Sequence, residues 1–259
     1  MLEQYCLNYG YSLETINKMR ASYALHYYKD GLLLSKIESI NSFLLDYGLT
    51  RDQVLQVTSN YISIYSFSVE YLKDKLDYFL SLGYSKKEII KIIKSLKQFF
   101  SYKNSSITTK INDLIELGFK EQDIKSIILL FPAVLCLNIE TIKEKISIIE
   151  SFGYTHEEVI LMITKLPAIL GYSIENIKEK IEFYNSIGLH RLPYVDPKQL
   201  MQSVKLSHAR FIFFKNREIT IDGSNYKILF YDQKYFKSHY GKTNKQLLEE
   251  LEDKKEATL

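Results

Sequence analysis

Five glycines recur at one fixed interval in this chain, and that interval constrains the fold more than any local motif does. Each glycine lies 35 residues from the next: Gly48, Gly83, Gly118, Gly153 and Gly188. A constant period of roughly 20 to 50 residues is typical of stacked-repeat proteins, in which each repeat buries its apolar face against its neighbours. The sequence therefore predicts an array of equal modules.

The residues around each glycine have matched roles. Before the glycine, Ile142, Ile146 and Ile149 have the spacing of one face of a helix, and the other repeats carry apolar residues at the same positions. The glycine can end this helix because a positive φ costs glycine least. A large apolar residue follows, and then the spacing of a helix-starting capping box in three repeats: Thr50 with Gln53, Ser85 with Glu88, and Thr155 with Glu158. Each module therefore reads as helix, glycine turn, helix.

The second helix of two repeats meets a proline. Pro132 and Pro167 are again 35 residues apart, and Ile62 and Lys97 stand at the equivalent position in the two preceding repeats. Proline cannot continue a helix interior, so we predict that the second helix ends there. Ala-Val-Leu and Ala-Ile-Leu follow the two prolines, and we expect a short, tight turn.

The pattern is irregular at both ends of the array. Gly10 lies 38 residues before Gly48, so residues 1–39 are expected to form an irregular first unit, with extra residues near Asp30 and Gly31. We predict an all-α superhelical solenoid over residues 1–190 and a C-terminal capping module over residues 191–259.

The capping module has three predicted features. A short helix is expected over residues 197–204. A β-hairpin is expected over residues 219–230, where apolar and polar residues alternate around Asp222 and Gly223. Closing helices are expected over residues 235–240 and 243–252, the second with a capping box formed by Thr243 and Gln246.

Local sequences within the array resemble the mTERF repeat, named for the mitochondrial transcription termination factors. The stretches that carry the resemblance are LGYSKKEIIKII, LGFKEQDIKSIILLFPAVL and FGYTHEEVILMITKLPAILGYSIENIKEKIEFYNSIGL, and they cover about residues 40–190. The segment FYDQKYFKSHYGKTNKQLLEEL also resembles the C-terminal segment of some members, located after their repeats. The resemblance, to a bacterial mTERF-like protein, implies a superhelix of three-helix units whose basic groove binds nucleic acid.

Charge is distributed unevenly along the chain. The net charge is only +3, yet residues 191–245 carry eleven Lys and Arg residues against four Asp and Glu residues. A local basic surface can steer an anionic partner even when the total charge is small. The two cysteines, Cys6 and Cys136, are too few for a disulfide framework, and we expect both to be core thiols in a reducing compartment.

Three sets of basic residues are candidate phosphate ligands. The first is one lysine per repeat, immediately before a core Leu or Ile: Lys75, Lys110, Lys145 and Lys180. The second is a stripe on one predicted helix: Lys87, Lys91 and Lys94, with Lys86 and Lys97 beside it. The third is interleaved with phenylalanines in the capping module: Lys205, His208, Arg210, Lys215 and Arg217. Solvated helix faces and a buried aromatic core are the alternative explanations for these patterns.

Catalysis has little support in the sequence. The five histidines show no HxxxH or HExxH spacing, and no GxSxG, P-loop or GxGxxG motif occurs. We therefore expect no enzyme activity, no cofactor and no metal site.

The sequence therefore favours a non-catalytic, monomeric protein that binds nucleic acid, with duplex DNA favoured over RNA and transcription regulation as its role. The alternative is a protein-interaction scaffold that acts on a host protein. The terminal segment LLEELEDKKEATL resembles the glutamate-rich export signals of type IV secretion in intracellular bacteria, which would make the chain a secreted bacterial effector. Otherwise we expect an intracellular protein. No apolar run is long enough to span a membrane, and no transit peptide is evident.

Overall fold

The computed structural model describes residues 1–256, with side chains through residue 253, and all regular elements in that range are helical. The chain divides into two compact units, Met1–Cys136 and Leu137–Leu259. This division falls between two repeats, inside the array, whereas the sequence pattern places a boundary at residue 190. The last residues of the charged C-terminal segment, from 257 onward, lie outside the described residues.

The first unit contains eight α-helices. They are α1 (Leu2–Tyr9), α2 (Leu13–Ala21), α3 (Asp30–Tyr47), α4 (Arg51–Asn60), α5 (Val69–Ser81), α6 (Lys86–Ser95), α7 (Asn104–Glu116) and α8 (Glu121–Leu130). Three 3₁₀ helices complete the repeats: Ile62–Ser66, Phe99–Ser101 and Pro132–Cys136. The first helices α3 and α5 pack together, and the second helices α4, α6 and α8 form another row.

The second unit continues the same pattern and then departs from it. Its α-helices are α9 (Ile139–Glu150), α10 (His156–Lys165), α11 (Ile174–Ser186), α12 (Leu192–Val195), α13 (Val204–Lys215), α14 (Gln233–Tyr240) and α15 (Asn244–Glu256). Its 3₁₀ helices are Pro167–Gly171, Pro197–Met201 and Tyr226–Phe230. The predicted helix over residues 197–204 is therefore a shorter 3₁₀ helix, and α13 is an element that the sequence pattern does not predict.

The recurrent glycines end the first helix of each repeat as predicted. Gly83 has φ +83° and Gly118 has φ +92°, a backbone region that strains any residue with a Cβ. The following amide closes the turn on a carbonyl five residues back, with Tyr84 N 3.2 Å from Phe79 O and Phe119 N 3.1 Å from Leu114 O. This turn directs the residue after the glycine into the core, where Tyr84 is 4% and Phe119 is 2% exposed.

The second helices begin and end where the sequence indicates. The three predicted capping boxes form, and Lys120 provides no side-chain cap to α8. From α4 onward, the turn after the second helix of each repeat is a 3₁₀ helix, including the two repeats with Ile62 and Lys97 in place of proline. Proline is therefore compatible with this turn but is not required for it. The core that these helices enclose is mainly Ile, Leu and Phe, each worth about 1.5–3 kcal/mol when fully buried.

The predicted β-hairpin over residues 219–230 is wrong. Asp222 and Gly223 instead open a tight turn in which the Asp222 carboxylate accepts from Ser224 N at 2.7 Å. Tyr226 N then bonds to Asp222 O at 3.0 Å, and the chain continues into the 3₁₀ helix Tyr226–Phe230. The side chain of Asp222 satisfies the backbone locally, so the segment needs no partner strand.

The two closing helices form where they are predicted, as α14 and α15. Thr243 and Gln246 form the expected capping box, with Gln246 N 3.2 Å from Thr243 Oγ1. In the first unit, α1 ends at Gly10 in a left-handed conformation, and Ser12 caps α2. None of the helices that the structure describes combines the length and apolar character needed to traverse a bilayer.

Candidate functional site

The lysines that recur once per repeat are not exposed. Lys75, Lys145 and Lys180 are 1%, 7% and 4% exposed, and Lys110 is half-buried. Their side chains occupy the i+3 position of the helix face that carries the core residues, as Leu72, Lys75 and Phe79 show on α5. The sequence predicts a row of exposed lysines along the array. Lys75, Lys145 and Lys180 are buried and do not form that row.

Each buried lysine instead joins the first helix of its repeat to the 3₁₀ segment that comes after it. Lys180 Nζ lies 2.5 Å from Gln202 O, and Lys145 Nζ lies 2.5 Å from Leu170 O. Lys75 donates to the carbonyl of Tyr102 and to Asn104 Oδ1. The apolar stem crosses the core, and the ammonium satisfies a carbonyl at the end of the 3₁₀ turn.

Burial also changes the protonation of these amines. Loss of solvation lowers the pKa of Lys75 to about 8, although the adjacent Asp74 carboxylate opposes the change. The same cause lowers the pKa of Lys145 and of Lys180. An ammonium held this way is a structural donor, so all three lysines lie outside the candidate interface.

The lysine stripe on α6 is exposed along its whole length. Lys87, Lys91 and Lys94 are all solvent-facing, and Ile89, Ile92 and Ile93 bury the opposite side of the helix. In the described part of the chain, none of the three lysines forms an ion pair within 4.0 Å. Lys91 contributes to lowering the pKa of Glu88, whose carboxylate is held first by the Ser85 amide at the N-cap. The flanking Lys86 and Lys97 are also exposed.

Arg210 differs from the other members of the third cluster because its side chain is buried. It is 1% exposed and donates to Leu229 O at 2.8 Å, to Tyr231 O at 2.7 Å and to Asn244 Oδ1 at 2.9 Å. Its guanidinium also lies over the Phe236 ring, 4.6 Å from the centroid. Burial lowers its pKa to about 10. Arg210 therefore ties α13 to the start of α14 and to α15, and it cannot reach a phosphate in solvent.

The other members of the third cluster remain available at the surface. Lys205, Lys215 and Arg217 are exposed, and His208 is half-buried against Phe183. The guanidinium carbon of Arg217 lies 3.5 Å from the centroid of the Phe213 ring, and this cation–π contact orients the guanidinium. Phe213 and Phe214 are 4% and 0% exposed, and they are core residues and not a stacking platform.

The basic surface of the second unit includes lysines that sequence reasoning did not single out. Lys234 and Lys237 are exposed on α14, which packs against α13 through Phe236 and Tyr240. The sequence signal for these two lysines is the charge of residues 191–245, which carry eleven basic and four acidic residues.

Metal-ligating residue types do not cluster in the part of the chain that the structure describes. No group of three His, Cys, Asp or Glu residues within that range is placed to hold a metal ion. Cys6 is buried, and burial raises the pKa of its thiol to about 11. Cys136, expected in the core, is exposed, and Tyr102 Oη donates to its Sγ at 2.9 Å.

A comparison with protein-family models decides the classification. The mTERF model matches residues 16–151 and again residues 140–188, a span that contains all five periodic glycines. The chain belongs to the mTERF family. A search of curated proteins finds no match.

Membership of the mTERF family agrees with the helix–helix–3₁₀ repeat seen in both units. mTERF proteins are helical-repeat proteins that generally bind nucleic acid and are not enzymes. This supports a nucleic-acid-binding role for the chain at the level of the family. In this mTERF chain, the exposed basic side chains considered above lie on α6 and in the segment after the repeats.

Proposed function

We propose that this mTERF chain is a non-catalytic protein that holds duplex DNA through its backbone phosphates. The observation that supports this most is the stripe of Lys87, Lys91 and Lys94. Three exposed ammonium groups on one helix face repel one another, and binding a polyanion relieves that repulsion.

The dimensions of the stripe suit a nucleic-acid strand. At about 1.5 Å of rise per residue, Lys87 and Lys94 are about 10 Å apart along the axis of α6. A duplex presents a phosphate about every 3.4 Å of axis along each strand, so the stripe spans about three phosphates. Lysine is a compact point charge without the fixed fork of arginine, and we therefore propose contact mainly with phosphates and little sequence readout.

A second phosphate-binding surface is proposed in the C-terminal segment. Lys205 and Lys215 occupy the outward side of α13, and Arg217 lies just beyond the C-cap Asn216 of that helix. The guanidinium of Arg217 is oriented by Phe213 and can form a forked contact with phosphate oxygens. In this proposal transcription regulation would follow from occupancy of DNA.

One observation favours the alternative role as a protein-interaction scaffold. Tyr23 and Tyr27 are 82% and 76% exposed on the segment between α2 and α3. Exposed tyrosines are frequent anchors in protein interfaces. The surrounding residues 1–70 carry five basic and seven acidic side chains, a balance that does not favour nucleic acid.

The test is a mobility shift of the purified full chain with duplex DNA and with duplex RNA over a series of salt concentrations. We expect a shift with DNA at low ionic strength that weakens steeply as salt rises. Stronger retention of RNA would replace DNA in the proposal. The absence of a shift with either nucleic acid at low salt would overturn it and favour the scaffold.

A further inference from the structure

Four polar side chains meet inside the core of the compact unit Met1–Cys136. Tyr11 Oη lies 2.6 Å from Tyr65 Oη and 2.8 Å from Thr58 Oγ1. It also lies 3.2 Å from Asn41 Oδ1, and Tyr65 Oη donates to that oxygen at 2.9 Å. Tyr11 is 3% exposed, and the other three residues are 1% exposed or less. We refer to Asn41, Thr58 and Tyr65 as the polar socket, which the Tyr11 hydroxyl fills.

The socket and the hydroxyl that fills it belong to different parts of the chain. Asn41 lies on α3, Thr58 on α4 and Tyr65 on the 3₁₀ helix Ile62–Ser66, so the first regular repeat supplies the whole socket. Tyr11 lies in the turn between α1 and α2. The cluster therefore joins the α1–α2 pair to the array.

The socket positions are apolar in the other repeats. The equivalent residues at 35-residue steps are Leu76, Ile111, Ile146 and Ile181 for Asn41, Ile93, Ile128 and Ile163 for Thr58, and Phe100, Leu135 and Leu170 for Tyr65. The repeat fold therefore does not need polar side chains at these positions.

Stability alone would favour apolar residues in the first repeat as well. The amide nitrogen of Asn41 is buried and has no hydrogen-bond partner among the described residues, which is unfavourable. Replacement of a complete buried polar group by apolar residues of similar volume is often neutral or stabilising. A polar cluster kept at such a cost can instead specify one packing arrangement, as a buried polar residue does in coiled coils.

The α1–α2 pair needs such a device more than the regular repeats do. Gly10 lies 38 residues before Gly48, whereas the later glycines are 35 apart. Residues 22–29, between α2 and α3, form turns and no helix. The connection therefore does not impose the placement that equal, short connections impose on stacked repeats. Apolar contact alone is non-directional and tolerates displacement.

We propose that the polar socket fixes the register in which α1 and α2 dock on α3 and α4. Ile37 and Leu44 flank Asn41 by one helical turn on either side, and both are fully buried. Displacement of the pair by one turn would place the Tyr11 hydroxyl against these apolar side chains and leave it unsatisfied. With apolar residues at all four positions, the native and displaced packings lose this difference. The proposal is independent of nucleic-acid binding.

The experiment compares the full-length wild type with the variant Tyr11→Phe/Asn41→Leu/Thr58→Ile/Tyr65→Phe, which has residue types found in the other repeats. The measurements are the urea midpoint, the amide NMR spectrum and amide hydrogen exchange. We expect the midpoint to stay at or above that of the wild type. The amides of α1 and α2 should give more than one set of signals and exchange about tenfold faster, whereas those of α7 and α8 should not change.

Tyr11→Phe removes only the hydroxyl and decides the question if the fourfold variant does not fold. It should speed exchange in α1 and α2 by about tenfold. The matched control is Tyr84→Phe, because Tyr84 also follows a helix-ending glycine but its hydroxyl bonds to a backbone carbonyl, that of Lys125 at 3.2 Å. This control should leave α1 and α2 unchanged.

Three results would overturn the proposal. The first is a single set of signals with wild-type exchange in α1 and α2 of the fourfold variant, or wild-type exchange there in Tyr11→Phe. The second is an equal acceleration across all helices, which would show a general loss of stability. The third is an equal acceleration of α1 and α2 in Tyr84→Phe, since the effect would then not depend on the socket.

Discussion

Lys180 Nζ donates to the backbone carbonyl of Gln202 at 2.5 Å and links α11 to the end of the next 3₁₀ helix. Gln202 in turn donates from Nε2 to Leu229 O at 2.9 Å. The ammonium is also 5.4 Å from the centroid of the Tyr172 ring. The sequence periodicity predicts Lys180 as a phosphate ligand. In the structure Lys180 instead connects the last repeat to the segment that follows it.

Removal of that connection should cost stability. Lys180→Met keeps the apolar stem but leaves the Gln202 carbonyl without its donor, so the free energy of unfolding should fall by about 1–3 kcal/mol. The measurement is urea unfolding of the full chain. Lys178→Met on the same helix is the control, because Lys178 is exposed and its loss should change stability by less than about 0.5 kcal/mol. Similar losses in the two variants would contradict the structural role of Lys180.

The buried amine of Lys75 should make stability depend on pH. Its pKa is about 8 in the folded chain, against an ordinary value of 10.5. Between these pH values the unfolded chain binds more protons, so the free energy of unfolding rises with pH, by at most about 1.4 kcal/mol per pH unit for one group. Lys75→Met removes this contribution, and the difference between wild type and variant in urea unfolding should grow from pH 8 to pH 10.

Measurements of that difference should stop near pH 10. Burial raises the pKa of Tyr154 to about 12, from an ordinary value of 10.0. Because the unfolded chain releases this proton first, the free energy of unfolding falls as pH rises above about 10. Subtraction of the variant removes this common loss. A wild-type-minus-variant difference that stays flat across the range would contradict the lowered pKa of Lys75.

Charge removal from the α6 stripe should weaken binding of duplex DNA. The triple variant Lys87→Gln, Lys91→Gln and Lys94→Gln should lower affinity and reduce the slope of log K against log salt by up to about 3, near 0.9 per lost phosphate contact. Filter binding at several salt concentrations measures both quantities. The control removes three exposed lysines from first helices, namely Lys73, Lys143 and Lys178. If both triple variants lower the affinity and the salt slope equally, net charge and not the α6 stripe determines the binding of DNA.

Arg210 should matter for stability and not for phosphate contact. Arg210→Lys keeps the charge but cannot form the three buried hydrogen bonds, so the free energy of unfolding should fall by about 2 kcal/mol or more. Arg217→Lys is the control, because that side chain is exposed and its change should be small in thermal unfolding. A neutral result at Arg210 would contradict its role in tying α13 to α14 and α15.

The helix-ending glycines can be tested with two alanine substitutions. Gly153 has φ +89° and no atom within 4 Å of a built Cβ, so Gly153→Ala isolates the backbone cost, about 1–2 kcal/mol. Gly31 lies inside α3, where alanine is favoured, and Gly31→Ala should be neutral or stabilising by up to about 1 kcal/mol. Thermal unfolding measures both, and a neutral Gly153→Ala would show that the turn tolerates a Cβ.

The sequence by itself determined the local architecture of the repeats. Glycine spacing, capping boxes and apolar periodicity act within a few residues, and each of them is fixed by backbone conformations available to a short segment. For this reason the helix ends at Gly83 and Gly118, and the capped starts at Ser85 and Thr155, could be read from the chain alone.

Only the tertiary structure decided which basic side chains reach solvent. Lys75 and Lys91 are both lysines beside core isoleucine or leucine residues, yet one is buried and the other exposed. The sequence did carry a partial signal, because Lys75 shares its helix face with Leu72 and Phe79. Whether such a side chain faces solvent or the neighbouring repeat depends on how α5 packs, and on a carbonyl at Tyr102 that is 27 residues away. Distant partners of this kind also set the environment of Arg210, because burial and hydrogen-bond satisfaction belong to the packed chain.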